Sequence, residues 1–189
     1  MTMVRYRRAG PEDYPAILRI QSTYYSGNLA AEERKEGFLS AEFTPEQVAT
    51  MAEDLGTMVA IVENSVAGFL CACRKEFEHG SPVIEKMLES YDQIYFEGKS
   101  LSSYNSYIYG PVCIARDYRR RGLLRGLYEA QKRALAGQFD IGVAFVAANN
   151  PHSLRAHVAG LGMTEVGNFE LRGNLYVILG FRLPPKSSQ

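Results

Sequence analysis

The stretch 57–75, TMVAIVENSVAGFLCACRK, is apolar at nearly every position and is the feature that most constrains the fold. Its two halves are rich in strand-forming residues, and Glu63-Asn64-Ser65 between them is typical of a turn. The stretch therefore predicts a β-hairpin. A strand exposed on one face alternates apolar and polar residues, whereas a strand buried on both faces is apolar throughout. This hairpin must lie in a sheet that other elements cover on both faces.

Helix signals alternate with further strand signals along the chain. The clearest is Thr44-Pro45-Glu46-Gln47, with threonine as the N-cap, proline at the first helical position and glutamine three residues after the cap. An earlier helix is expected to open at Gly10-Pro11-Glu12-Asp13. The remaining expected helices span 81–96, 122–136 and 150–159, and the remaining expected strands span 3–8, 107–114, 140–148, 163–171 and 174–183.

The order of these elements indicates an α/β (α+β) fold, with a mixed central sheet of about seven strands flanked by helices. Residues 1–183 are expected to form a single domain, because no linker or internal repeat interrupts them. The stretch 81–106 is expected to be an inserted helix and loop. The polar end, 184–189, is expected to be frayed.

Charge and cysteine content exclude several classes of protein. The chain has 21 Lys and Arg and 21 Asp and Glu, so its formal net charge is zero, which argues against a general polyanion-binding protein. No apolar run approaches the ~18 residues of a membrane span, and we expect no signal peptide. The three cysteines show no spacing typical of a zinc site, so we expect no metal and a reduced, cytoplasmic protein.

An arginine-rich turn lies between the strand expected at 107–114 and the helix expected at 122–136. The sequence from Ile114 to Leu127 is IARDYRRRGLLRGL. The first amides of a helix have no carbonyl partner within it, and the helix dipole adds positive potential at the same end. Gly122 leaves room for a phosphate to approach the backbone, so the turn is a candidate anion site. A solvated basic turn is the alternative that these residues leave open.

Two motifs of the chain resemble those of the GCN5-related N-acetyltransferase (GNAT) superfamily. The first is YGPVCIARDYRRRGLLRGLYEA, in which Arg119, Gly122 and Leu124 occupy the positions of an Arg/Gln-x-x-Gly-x-Gly/Ala motif. Leu124 departs from that pattern, because a small residue is usual there. The second is NNPHSLRAHVAGLGMTEVG, which resembles an Asn-x-x-Ser/Ala landmark through Asn150 and Ser153. The element order also matches the family over most of the chain.

The resemblance implies transfer of an acyl group, most often acetyl, from coenzyme A (CoA) directly to a primary amine of a small molecule or peptide. It also implies that helix-start amides hold the CoA diphosphate while arginines add charge, and that strand backbone holds the pantetheine arm and the acetyl carbonyl. A homodimer is compatible with the family, and no nucleic-acid or membrane partner is expected. The implied cofactor-binding residues are Val112, Cys113, Ile114, Arg119, Arg120, Arg121, Gly122, Leu123, Leu124, Arg125, Asn150 and Ser153.

The candidate catalytic residue is His157. The family often has a tyrosine seven residues after the landmark asparagine, near the CoA sulfur, and here that position is His157. An imidazole can donate a proton to a thiolate, so His157 is a chemically reasonable acid. A histidine that only packs in the core is the alternative, and Tyr128 is a second candidate acid. The turn after His157 has one residue more than the common spacing.

No general base is evident, because the strand 107–114 lacks the carboxylate that relatives often have there. A covalent role for Cys113 is disfavoured, because the family transfers the acyl group directly. Five residues remain as candidate bases because they are close in sequence to the acceptor side. They are Tyr107, Tyr109, Glu89, Glu97 and His79.

The acceptor side is expected to come from 81–106 and the start of the following strand. Tyr91, Tyr107 and Tyr109 are candidate substrate-binding residues, because aromatic rings can hold a cationic amine. A packed lid is the alternative for these rings. The departures from the family also leave open a catalytically weak CoA-binding sensor or scaffold module. Nucleic-acid binding through the arginines is a third hypothesis, which the zero net charge disfavours.

Overall fold

The computed structural model describes residues 3–78 and 80–185, so the candidate base His79 and most of the expected frayed end, residues 186–189, lie outside the described residues. Seven of the strands in the described residues form one mixed sheet of order β1-β2-β3-β6-β7-β9-β8, in which β6 and β7 are parallel and all other neighbours are antiparallel. The strands are β1 (Val4–Arg8), β2 (Met58–Val62), β3 (Ser65–Arg74), β4 (Tyr95–Phe96), β5 (Lys99–Ser100), β6 (Ser106–Ile114), β7 (Ile141–Ala147), β8 (Thr164–Leu171) and β9 (Asn174–Arg182).

Helices cover both faces of this sheet. The helix start predicted at Thr44 is confirmed, because its hydroxyl accepts from the Gln47 amide at 3.2 Å while the Gln47 side chain accepts from the Thr44 amide at 2.9 Å. No helix in the described part of the chain is long and apolar enough to span a membrane. The helices are α1 (Tyr14–Tyr24), α2 (Ala31–Arg34), α3 (Pro45–Glu53), α4 (Pro82–Glu89), α5 (Leu123–Leu135) and α6 (Pro151–Arg155), followed by a π-helix (Ala156–Gly160).

The hairpin predicted from the apolar run is confirmed as the centre of the sheet. All five residues of β2 are buried, as are residues 67–73 of β3. One face packs against α1, α3 and α4, and the other packs against α5 and the helices that follow β7. The α/β class and the mixed central sheet are therefore confirmed, and the physical reason is that burial of β2 and β3 on both faces requires two helical layers.

The sheet opens between β6 and β7. The two strands pair at only three positions, the last being Ile108 opposite Val143, and then diverge. Strand β6 continues along β3 as far as Ile114, and β7 continues along β9 as far as Ala147. The parallel strands thus separate toward their carboxyl ends and leave a gap within the sheet.

A bulge in β6 lies where the divergence begins. Opposite the single residue Cys71 of β3, β6 has two residues, Gly110 and Pro111. Proline has no N–H for the strand ladder, and an extra residue bends its strand. Gly110 and Pro111 therefore interrupt the regular pairing of β6 with β3.

The helix predicted over 81–96 is wrong in its second half. Helix α4 ends at Glu89 because the Ser90 amide and hydroxyl both donate to the carbonyl of Met87, at 3.0 and 2.6 Å. A turn and the β4–β5 hairpin follow. The hairpin turn has positive φ at Glu97 (48°) and Gly98 (83°), which suits a tight two-residue turn. Glu-Gly is a weaker signal for that turn than Asn-Gly.

The helix predicted over 150–159 changes type after one turn. Helix α6 ends at Arg155, and Ala156–Gly160 is a π-helix. A π-helix bonds residues five apart rather than four, so it accommodates an additional residue. The extra residue noted after His157 is taken up in this wide turn.

Tyr107 lies in the core rather than on the acceptor side where it was predicted. Its side chain is fully buried between the sheet and α5, and its ring packs edge-on against Phe181. The Tyr107 hydroxyl donates to Gln131 Oε1 at 2.9 Å, and Gln131 Nε2 donates to the carbonyl of Cys71 at 2.9 Å. This buried network satisfies polar groups opposite the β6 bulge.

We expect Gln131→Leu to lower the free energy of unfolding by about 1–3 kcal/mol, because the Tyr107 hydroxyl and the Cys71 carbonyl would stay buried without a partner. Adding Tyr107→Phe should recover part of that loss. Urea unfolding of the two single variants and the double variant measures the coupling. Strictly additive losses would contradict the network.

Candidate active site

A cleft of about 440 Å³ runs from the gap in the sheet to the start of α5. Its volume is in the range of small-molecule binding sites. One wall is the end of β6 and the turn to α5, the second is α6 with the π-helix, and the third is the segment Glu36–Leu39 before α3. Most of the cofactor-binding residues that the resemblance implied come together here, because the cleft is lined by Val112, Cys113, Ile114, Arg119, Arg120, Gly122, Leu123, Leu124, Arg125 and Ser153.

The start of α5 presents unpaired backbone amides to this cleft. Gly122 is the N-cap and has φ 79° and ψ 5°, a left-handed conformation that favours glycine. The first amide bonded within the helix is that of Gly126, which donates to the Gly122 carbonyl at 3.1 Å. The amides of Leu123, Leu124 and Arg125 precede it and therefore have no helical partner. They lie at the positive end of the dipole of a thirteen-residue helix, a geometry that suits an anion.

The second glycine of the arginine-rich turn has a different role. A Cβ atom at Gly126 would overlap the ring of Tyr6, so glycine is needed there for close packing of α5 on β1. A Cβ atom at Gly122 would meet no described protein atom within 4 Å. It would instead extend into the cleft that Gly122 lines.

Two of the arginines bind backbone carbonyls across the cleft. Arg119 donates to the carbonyl of Ile114 at 3.0 Å and to that of Glu36 at 2.9 Å, and its guanidinium lies 4.7 Å from the centre of the Tyr24 ring. Arg125 donates to the carbonyl of Gly160 at the end of the π-helix. Both side chains therefore hold the walls together while adding positive charge.

The remaining arginines of the turn contribute charge at its surface. Arg120 lines the cleft and has a positive φ of 62°, which is uncommon for a residue with a side chain. Arg121 is exposed and lies outside the lining, with its guanidinium 5.6 Å from the centre of the Tyr118 ring. Burial, followed by the charges of Arg119, Arg155 and Arg120, lowers the pKa of His152. This shift is consistent with positive potential in the cleft.

The segment before α3 is the part of the site that the sequence did not reveal. The Glu36 carboxylate accepts from Arg116 Nη2 at 2.7 Å, and the hydrogen bond and charge of Arg116 lower the pKa of Glu36. The carbonyl of Phe38 accepts from Asn150 Nδ2 at 3.0 Å. A loop is placed by such long-range contacts rather than by local propensity, so no sequence signal marked it.

Asn150 is a buried link between two walls. Its Oδ1 accepts from the Ser153 amide at 3.3 Å, so Asn150 is the N-cap of α6, and its Nδ2 donates to the carbonyl of Phe38. It lines a second pocket, of about 80 Å³, that meets the cleft. The residues that line both spaces are Phe38, Leu39, Val112, Ser153 and His157.

His157 lies at that junction and is buried. Its Nδ1 is 2.8 Å from the carbonyl of Ser153, which can only accept, so Nδ1 bears the hydrogen. Its Nε2 is then an acceptor, and it lies 3.2 Å from the hydroxyl of Tyr109. Burial lowers the pKa of His157, partly opposed by the bond to Ser153, so the neutral ring is favoured.

The smaller pocket lies on the expected acceptor side, but few of the predicted groups line it. Ile84 and Tyr109 are present, whereas Tyr91 is buried in the core beside the sheet and lines neither space. The described residues of its lining are mainly apolar and include no carboxylate. Beyond residues shared with the cleft, the lining includes Ser40, Ala41, Phe43, Ile84, Ile108, Tyr109, Gly110, Pro111, Ala144, Phe145, Val146, Ala147 and Asn150.

Solved structures of acetyltransferases match this fold over nearly the whole chain, although no protein-family model and no curated protein matches the sequence. The ribosomal-protein-S18-alanine N-acetyltransferase of Escherichia coli is 13% identical, with 98% of this chain and 97% of that one covered and a TM-score of 0.62. An N-acetyltransferase of Staphylococcus aureus Mu50 is 16% identical, with 96% of this chain and 99% of that one covered and a TM-score of 0.64. A Desulfovibrio desulfuricans protein assigned to the GNAT family is 14% identical, with 96% of this chain and 99% of that one covered and a TM-score of 0.62.

The lowered pKa of His157 predicts that acid destabilises the fold. The unfolded chain takes up a proton near the ordinary pKa of 6.5, whereas the folded chain does so only at lower pH. The free energy of unfolding should therefore fall as pH drops below about 6.5, and His157→Gln should flatten that decline. Urea unfolding across this range measures the slope. The pKa of His152 is lowered as well, so His152→Gln measures how much of the slope arises outside His157. An unchanged slope in His157→Gln would contradict the assigned neutral state.

Proposed function

We propose that this chain, whose fold is that of the GNAT acetyltransferases, is an acetyl-CoA-dependent N-acetyltransferase. The observation that supports this most strongly is the gap between β6 and β7, which meets the amide-rich start of α5 in one continuous cleft. A gap flanked by unused strand backbone suits an extended arm, and a helix start beside it suits the phosphates at the end of that arm.

The start of α5 is the proposed seat of the CoA diphosphate. The unpaired amides of Leu123, Leu124 and Arg125 would donate to phosphate oxygens, and Arg120 would add charge from the cleft wall. Arg119 and Arg125 keep the walls at their spacing through their carbonyl bonds. The residues present therefore fit a diphosphate in both charge and backbone geometry.

The end of β6 is the proposed seat of the pantetheine arm. Beyond Ile108, β6 pairs with no described strand on its β7 side, so the backbone groups of Val112, Cys113 and Ile114 on that side are not used by the sheet. Such groups can bind amides of the arm and polarise the acetyl carbonyl. Asn150 and Ser153 border the same space from α6.

Acetyl-CoA would supply an acetyl group activated as a thioester, and transfer to an amine would leave free CoA thiol. The protein's task is to hold the amine and the acetyl carbon in contact and to move one proton. Cys113 is a poor covalent nucleophile, because burial raises the pKa of its thiol to about 12 and keeps it protonated. Direct transfer to the amine is therefore the favoured route.

The proposed acceptor is a primary amine of a small molecule or a peptide that enters through the smaller pocket. Burying an ammonium group beside apolar side chains without a carboxylate is costly, so the amine should react in its neutral form. Phe38, Phe43 and Phe145 favour an apolar group next to that amine.

We expect kcat/KM to be higher for arylalkyl amines and for peptides with an apolar first residue than for polyamines. The physical reason is that the described lining of the acceptor pocket offers apolar contacts and no carboxylate for additional cations. Release of CoA thiol in a panel of amines measures the preference. A clear preference for polyamines would contradict the proposed pocket.

Calorimetric titration with acetyl-CoA, followed by the thiol-release assay, tests the function itself. The expected result is saturable binding and amine-dependent thiol release. Absence of binding would overturn the proposal. Tight binding without turnover on any amine would instead support the alternative of a CoA-binding sensor or scaffold module.

Gly122→Ala should weaken acetyl-CoA binding by about tenfold or more, because a Cβ atom would enter the diphosphate seat and disfavour the left-handed N-cap. Gly173→Ala is the matched control. Its φ is 76° against 79° at Gly122, and a Cβ there also meets no described atom within 4 Å, but it lies in the β8–β9 turn. Both variants should lose similar stability, and only Gly122→Ala should lose affinity. Equal affinity in the two variants would contradict the proposed seat.

A further inference from the structure

One hydrogen bond joins the two walls of the cleft at the point where the gap begins. Tyr109 is the last residue of β6 before the bulge, and His157 is the second residue of the π-helix. The Tyr109 hydroxyl lies 3.2 Å from His157 Nε2, and both residues line the smaller pocket. This bond links β6 directly to the π-helix.

The direction of this bond follows from the contact on the other side of the ring. Because the Ser153 carbonyl accepts from Nδ1, the lone pair of the imidazole lies on Nε2. Tyr109 must therefore donate to His157. Neither imidazole nitrogen is free for a thiolate or an amine, so a proton can enter or leave His157 at Nε2 only through the Tyr109 hydroxyl.

The surroundings keep both groups neutral at rest. Burial raises the pKa of Tyr109 well above its ordinary value, and the neighbouring Tyr128 raises it further. Burial lowers the pKa of His157. Two titratable groups lie beside the pair: Tyr128 from α5, whose ring contacts that of Tyr109 edge-on, and Tyr107 from β6, whose pKa Tyr109 raises. Strand β7 contributes the apolar Ala144 and Val146 to the same pocket.

We propose, building on the acetyltransferase function above, that Tyr109 and His157 form one proton relay and that Tyr109 is the catalytic residue. As the amine nitrogen bonds to the acetyl carbon, the Tyr109 oxygen takes a proton from that nitrogen and passes its own proton to His157 Nε2. As the carbon–sulfur bond breaks, the proton returns through Tyr109 to the sulfur, which takes the bonding electron pair. The net change moves one proton from nitrogen to sulfur and leaves the pair as it began.

This relay supplies the base that the sequence lacked and changes the role predicted for His157. A neutral histidine with its lone pair directed at Tyr109 is an acceptor and cannot be a direct acid. His157 therefore acts through Tyr109, as a positioning residue that stores the proton. The Ser153 carbonyl fixes the tautomer that makes this storage site available.

Tyr107 provides a matched comparison two residues earlier on the same strand and the same face. Its hydroxyl also donates to a buried side chain, Gln131, but it lines neither the cleft nor the smaller pocket. Removing either hydroxyl removes one buried hydrogen bond. Only removal of the Tyr109 hydroxyl should affect proton movement.

The first test needs no turnover. Nitrogen NMR of the imidazole rings in the full-length wild-type protein should show His157 in the Nδ1–H tautomer, with Nε2 as an accepting nitrogen. Tyr109→Phe should move the Nε2 resonance, whereas Tyr107→Phe should leave it in place. A hydrogen on Nε2 in the wild-type protein would overturn the relay.

The second test is kinetic. Tyr109→Phe and His157→Gln should each lower kcat by about 10²-fold or more while changing acetyl-CoA affinity by less than about twofold. The double variant should be no slower than the slower single variant, because both changes remove the same relay. Protonation of His157, which burial shifts to a pH below the ordinary imidazole range, should lower kcat in the wild-type protein, and this fall should disappear in His157→Gln. Tyr107→Phe should keep wild-type kcat.

The possible results distinguish a failed relay from a failed acetyltransferase function. If the wild-type protein binds acetyl-CoA and acetylates amines but Tyr109→Phe keeps its kcat, the relay is wrong and the acetyltransferase function stands. Multiplicative losses in the double variant, with an unchanged pH profile, would likewise overturn the relay in favour of two independent packing effects. Thermal unfolding of each variant shows whether it is folded. If a variant is not folded, the His157 tautomer measured in the wild-type protein decides whether the relay can exist.

Discussion

The separation of β6 from β7 is the constraint on which the rest of the site depends. Strand β6 stays paired with β3 and β7 stays paired with β9, while β6 and β7 lose their pairing with each other. The gap therefore opens without disrupting the rest of the sheet. Helix α5 follows β6 and α6 follows β7. The starts of both helices consequently lie at the mouth of the gap, and the unpaired amides of α5 and the side chain of His157 converge on one space.

Arginine side chains hold the walls of this gap together and also add positive charge to it. A gap in a sheet exposes backbone carbonyls, and Arg119 and Arg125 bind three carbonyls around it, from β6, from the segment before α3 and from the π-helix. Charge-assisted hydrogen bonds of this kind are stronger than neutral ones. Part of the positive potential in the cleft therefore comes from the same two side chains that hold its walls together.

Two departures from regular structure shape the site. The bulge at Gly110 and Pro111 ends the pairing of β6, and the wide turn of the π-helix brings His157 against Tyr109. Both irregularities insert one residue into an otherwise regular element.

The sequence alone determined the class of the fold, the order of the seven strands of the sheet along the chain, the N-cap at Thr44 and the helix that begins after Gly122. These features are local, because apolar periodicity and capping act over a few residues. Only the tertiary structure decided that Tyr91 and Tyr107 belong to the core, that the segment at Glu36 forms a wall, and that Tyr109 meets His157. Those contacts join residues far apart in the chain, and no local pattern encodes which of several tyrosines a fold will bury.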